Sequence, residues 1–231
     1  MSWLKRLLPK QTPPANDLPD FMADYIHFRK TGRALSTKII KSDVIPFDPK
    51  VIAKRMGILE GKQLILEGEQ EMDAMMDFGL QDIKVADKSH FQRYAELGLP
   101  DTTPDEYVVM DARNHSFMSL YQITNADSAA CTVHVIDLLN KNAPLQFQEI
   151  GLSQTGKPGS LIFTRLLPFP NFLVTGGVSF IFNPIHKDRL IKGYNLLKFK
   201  ANGKLRSDQT FLYFFRQNRL WGEQMMHIDV G

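Results

Sequence analysis

The chain predicts an α+β fold: N-terminal helices, a central antiparallel sheet or small curled barrel over about residues 116–183, and C-terminal helices. Three observations carry this. Up to His115, apolar residues recur at helical spacing behind recognisable caps. From Ser116, five short β-branched or aromatic runs follow one another, separated by Asn, Asp, Pro and Gly. Beyond Phe182 the helical spacing returns.

Pro-rich "PKQTPPANDLP" (9–19) reads as a linker, so residues 1–19 are expected to be a flexible segment and 20–231 a single domain, with a sub-division conceivable near 115. Residues 20–30 place Phe21, Tyr25 and Phe28 on one helical side, closing near Gly32. In "FDPKVIAKRMG", Asp48 is the N-cap, Pro49 stands in the first turn and Gly57 is the C-cap. "KQLILEG" reads as a short strand. "EQEMDAMMDFGLQDI" sets Met72, Met76, Leu80 and Ile83 on one stripe and Glu69, Asp73 and Asp77 on another. A helix is expected within 86–97, and another starts at "TTPDEYVVMDARNH", with a Thr cap, Pro104 and early acids at its positive end.

The sheet runs are "FMSLYQI", "CTVHVIDLL", "LQFQEIGL", "SLIFTRLL" and "FLVTGGVSFIF". After them, Ile185, Leu190, Tyr194 and Leu197 mark a helix. "SDQTFLYFFRQNRLWG" is expected to start at a Ser cap and end at Gly222, with Asn202-Gly203 linking the two helices.

With hydrophobic residues at 43% and charged residues at 23%, the composition excludes a disordered chain. The single cysteine, Cys131, rules out a disulfide within the chain and any cysteine-cluster metal site, and fits a reducing, cytoplasmic setting. No stretch reaches the roughly 20 apolar residues of a membrane span. "MSWLKRLLPK" lacks the apolar run of a signal peptide, and Pro9 limits it as an interfacial helix.

"GLSQTGKP" (151–158) comes within one letter of a phosphate-binding loop. Pro158 has no hydroxyl for a metal and no N–H, and it steers Lys157 away from helix where a helix should begin. The stretch is expected to be a turn, with Pro158 fixing φ and Gly159 supplying positive φ. Cys131 and His134, three apart on a strand, face opposite sides and cannot share a ligand. The histidines are scattered, so no metal, cofactor or catalytic residue is assigned.

Glu69, Asp73 and Asp77 form a candidate cation or acid–base face, with a solvated face as the plainer expectation. Gly176-Gly177 suggests a bulge or a close approach. Arg165 shares a strand face with Phe163, so it is paired internally or sits at a rim as an anion contact. From His186 to Arg206, Lys187, Arg189, Lys192, Lys198, Lys200, Lys204 and Arg206 face Asp188 alone, and Arg216 and Arg219 follow. Glu67 to Asp111 carries the opposite excess.

These opposed blocks lead to the expected function: a non-catalytic binding protein with a protein partner or a second copy of itself. A nucleic-acid contact through Lys187–Arg219, or an enzyme site near Arg165, Gly176, His134 and the acidic helix, are the alternatives. The stretch "VIDLL…IGLSQTGKPGSLIFTRLLPFPNFLVTGGVSFIF" (135–182) resembles a segment of poorly characterised bacterial proteins, some with a C-terminal SEC-C zinc motif. The cysteines of that motif are absent here, and the resemblance implies no activity.

Overall fold

The computed structural model describes residues 21–223. The segment 1–19 and its Trp3–Leu8 stretch lie outside these residues. Helix α1 (Met22–Ile40) runs straight through Gly32 instead of closing there, because Leu35 and Ile39 extend its buried stripe. Helix α2 (Pro49–Met56) has the expected ends: Asp48 accepts from the N–H groups of Lys50 and Val51, and Gly57 takes φ of 78°.

A small hairpin of β1 (Leu59–Glu60) and β2 (Gln63–Leu64) replaces the longer strand expected to run to Gly68. Helix α3 (Gln70–Gln81) buries Met75 and Phe78, while Met72 and Met76 pack only at the margin of the core. Helices α4 (His90–Leu97) and α5 (Pro104–Asn114) start at capping boxes, Ser89 with Gln92 and Thr103 with Glu106.

The five runs become β3 (Phe117–Asp127), β4 (Thr132–Asp137), β5 (Ala143–Gln148), β6 (Leu161–Pro168) and β7 (Leu173–Phe182). Their order is β5-β4-β3-β6-β7, and β7 returns to β5 through the parallel pair Gln148 and Val174, so the sheet closes into a five-stranded barrel. A two-residue strand, β8 (Gly222–Glu223), covers the far end of β7.

Helix α6 (Ile150–Thr155) takes up part of the stretch expected to be a turn. The turn itself follows at Lys157–Ser160, where Gly159 has φ of 92° and Ser160 N donates to Lys157 O at 3.1 Å. The helix therefore precedes Lys157, the reverse of a phosphate-binding loop. After a 3-10 turn at Pro184–His186 come α7 (Lys187–Lys200) and α8 (Ser207–Trp221). Arg206, not Ser207, occupies the N-cap position of α8. Asn202 and Gly203, both at positive φ, link the two helices.

The barrel interior holds Tyr121, Val133, Val135, Phe147, Ile162 and Leu166, with Leu152 of α6 joining them. Alternation puts Leu120, Phe163 and Phe180 outside, where Phe211, Phe214 and Phe215 of α8 and Phe78 of α3 cover them. A second cluster joins α1, α4 and α5 to the β6–β7 end of the barrel. Strand β6 is thus buried on both faces, and a polar side chain on it has to find partners inside the protein.

Candidate functional site

Arg165 finds such partners. It lies on the outer face of β6, on the same side as Phe163, with its side chain 5% exposed. Its Nη2 donates to Asp82 Oδ2 at 2.5 Å, Nε reaches Asp77 Oδ2 at 3.4 Å and Nη1 reaches Ser116 Oγ at 3.5 Å. Arg113, from the last turn of α5, donates to Asp77 Oδ1 at 2.6 Å and to Gly176 O at 3.2 Å. Charges therefore alternate from Arg113 through Asp77 and Arg165 to Asp82. Burial raises the Asp82 carboxyl to about 6; Arg165 opposes that rise and Asp77 adds to it. The Gly176-Gly177 bulge lies opposite Arg165. A Cβ on Gly176 would stand 3.4 Å from Arg165 Cβ, and Gly177 has φ of 105°.

Beside this network a cleft of about 100 Å³ opens between α1, α5 and the β6–β7 turn. Helix α1 turns Arg29, Gly32, Arg33 and Ser36 towards it, at the spacing of one helical face. Arg113 lines it as well, and its Nε has no hydrogen-bond partner among the described residues. Phe28, Phe169 and Phe172 form an aromatic wall: Phe169 stacks on Phe28 at 5.0 Å and on Phe172 at 5.1 Å. Arg29 donates to Glu149 Oε2 at 2.9 Å, and Thr175 Oγ1 donates to the same oxygen at 2.5 Å. Burial first, then the Glu149 charge, pushes the Tyr25 hydroxyl up to about 12, so it stays protonated.

The basic run does not act as one block. Lys187 donates to Gln122 Oε1 at 2.8 Å, and Arg189 lies over the Trp221 ring at 4.7 Å. Arg219 folds back on Glu71 at 2.7 Å and donates to Ile65 O. Lys192, Lys198, Lys200, Lys204 and Arg216 remain exposed. Helix α7 buries only Leu190. Leu196 and Phe199 are 55% and 80% exposed, and Ile185, expected on the apolar stripe, is 77% exposed. Glu69 and Asp73 are exposed, while Asp77 turns inward, so the acidic stripe divides.

Residues 20–228 match a family of unknown function, DUF7986. The chain belongs to that family. No curated protein and no solved structure matches it. In this DUF7986 chain, Arg165 and Asp77 meet, together with Gly176, whereas His134 lies half-buried on β4 away from them. Among the described residues, no group of three His, Cys, Asp or Glu side chains is placed to hold a metal, and no helix is long and apolar enough to cross a membrane. Sequence reasoning missed Asp82, Arg113, Arg29 and Arg33. The last two had a signal: continuing α1 past Gly32 puts Arg29 and Arg33 one turn apart on one face.

Proposed function

We propose that this DUF7986 chain is a non-catalytic, cytoplasmic binding protein of bacterial type that acts by associating with a second copy of itself through the outward face of α7. The observation that carries the reading is Phe199, 80% exposed on the side of α7 opposite Leu190, with Leu196 beside it. Solvent-facing aromatic and aliphatic residues rimmed by lysines are the composition of an association surface. Lys192, Lys198 and Lys200 supply the positive rim. The exposed Glu67, Glu69 and Asp73 at the start of α3 offer the complementary charge, which a second copy related by a two-fold axis presents in return. The single Cys131 supports the reducing compartment, and the likeness of 135–182 to bacterial proteins, some bearing a SEC-C motif, supports the bacterial type.

The nucleic-acid alternative loses ground because Lys187, Arg189 and Arg219 are engaged within the chain, which thins the row of cations available to phosphates. Native mass spectrometry of the wild type and of Phe199→Glu tests the proposal. A species near twice 26.4 kDa that reverts to the monomer mass in the variant is the expected result. A wild type that stays monomeric at tens of micromolar, or a dimer indifferent to Phe199→Glu, would rule out α7 as the contact. Salt-sensitive oligonucleotide binding lost on replacing Lys192, Lys198 and Lys200 by Ala would favour the alternative.

A further inference from the structure

We propose that the cleft between α1, α5 and the β6–β7 turn binds a small organic anion: a carboxylate carried on a flat, apolar body. This site is separate from the α7 surface and does not depend on association. Three guanidinium groups line the cleft, from Arg29, Arg33 and Arg113, and no carboxylate does among the described residues. Two of the three are already matched, Arg29 by Glu149 and Arg113 by Asp77. Arg33 has no carboxylate partner among the described residues, so it carries the uncompensated charge of the cleft. Its planar fork of donors fits the two oxygens of a carboxylate, a geometry that a lysine point charge cannot reproduce.

The body of the ligand is set by the opposite wall. Phe28, Phe169 and Phe172, stacked on one another, line it with apolar ring surface that a bare inorganic ion would leave unused. The available room, about 100 Å³, compares with the roughly 150 Å³ of a closed cavity that holds benzene. Here Arg33 and Gly177 are exposed at the mouth, so a ring can sit against the phenylalanines with its head group in solvent contact at Arg33. Gly32 keeps the α1 face bare between Arg29 and Ser36; a bulky side chain at that position would stand in the cleft. The hydroxyls of Ser36 and Thr175 already donate within the protein, to Gly32 O and Glu149. Recognition therefore falls to the guanidinium groups.

Isothermal titration calorimetry on the full chain tests this, with benzoate as the probe and benzamide and inorganic phosphate as comparisons. The expected result is saturable one-to-one binding of benzoate in the millimolar range or tighter, and weaker binding of benzamide, which has the same ring without the charge. Arg33→Ala, at an exposed position that leaves the buried network untouched, should weaken benzoate about tenfold, and Arg33→Lys should recover only part of the loss. The proposal is overturned if benzoate does not bind at millimolar concentration or binds Arg33→Ala as well as wild type. It is equally overturned if phosphate binds more tightly than benzoate through Arg33, since the aromatic wall would then play no part.

Discussion

Asp82 is held where a carboxylate is costly, with its side chain 1% exposed beside Arg165. Its carboxyl is raised from 3.8 to about 6, so the folded state holds this proton more tightly than the unfolded chain does. The stability contributed by that proton is complete below about pH 4 and is lost as pH rises through about 6. A shift of that size corresponds to about 3 kcal/mol. Urea midpoints measured from pH 4 to pH 7 should therefore show a falling component that Asp82→Asn removes. Parallel wild-type and variant curves would show that Arg165 keeps Asp82 ionised throughout. Arg165→Ala strands the buried Asp82 carboxylate, while Asp77 keeps Arg113, and should cost about 3–5 kcal/mol near neutral pH. Part of this site was readable beforehand: period-two alternation places Arg165 on the face of Phe163. The depth of Asp77 was not, because a helical wheel gives a direction and not what arrives there. Asp73 and Asp77 are one turn apart, yet only Asp77 meets Arg113, which comes from another helix.

Among the elements, the legible features were local and the missed ones were long-range or very short. The caps Asp48, Ser89 and Thr103 are written within three residues of the groups they satisfy. Helix α6, six residues long, carries too little periodicity to be seen. Gly32 was misread because glycine marks helix ends on average, whereas here the packing of Leu35 and Ile39 continues the helix past it. This contrast predicts opposite outcomes for one substitution at two helical glycines. A Cβ on Gly79 would come within 2.5 Å of Ile52 Cδ1 and 2.8 Å of Phe47 Cε2, so overpacking outweighs the better helix propensity of alanine. Gly79→Ala should destabilise by about 1–2 kcal/mol, and a chain of this size loses roughly 2–4 °C in Tm for each. A Cβ on Gly32 meets only Val109 Cγ1 at 3.7 Å, an ordinary contact, so Gly32→Ala should be neutral to stabilising by up to about 1 kcal/mol. Thermal melts that move in the same direction for both would show that backbone propensity, not contact, governs these positions.

For the whole molecule, five strands were visible in the sequence, which left open whether they form an open sheet or a curled barrel. Closure rests on one residue pair, Gln148 with Val174, joining strands that are separated in the chain by α6 and β6. No local pattern marks such a pairing. The seam has two further supports. Gln148 Oε1 accepts the N–H of Leu173 at 3.1 Å, and Glu149 ties α1 to β7 through Arg29 and Thr175. The other half of β7 is sheltered by β8, so this seam is where the ring can open without the rest unfolding. Gln148→Ala leaves the Leu173 N–H without its acceptor, at a cost of about 1 kcal/mol. Amide exchange at Leu173 and Val174 should then accelerate roughly fivefold or more, while the amides of β3, on the far side of the ring, keep their rates. Unchanged exchange at Leu173 would mean that the Gln148–Val174 backbone pair and the Arg29–Glu149–Thr175 bridge hold the seam without the Gln148 side chain. Acceleration of every barrel amide together would mean that the ring opens only by unfolding as a whole.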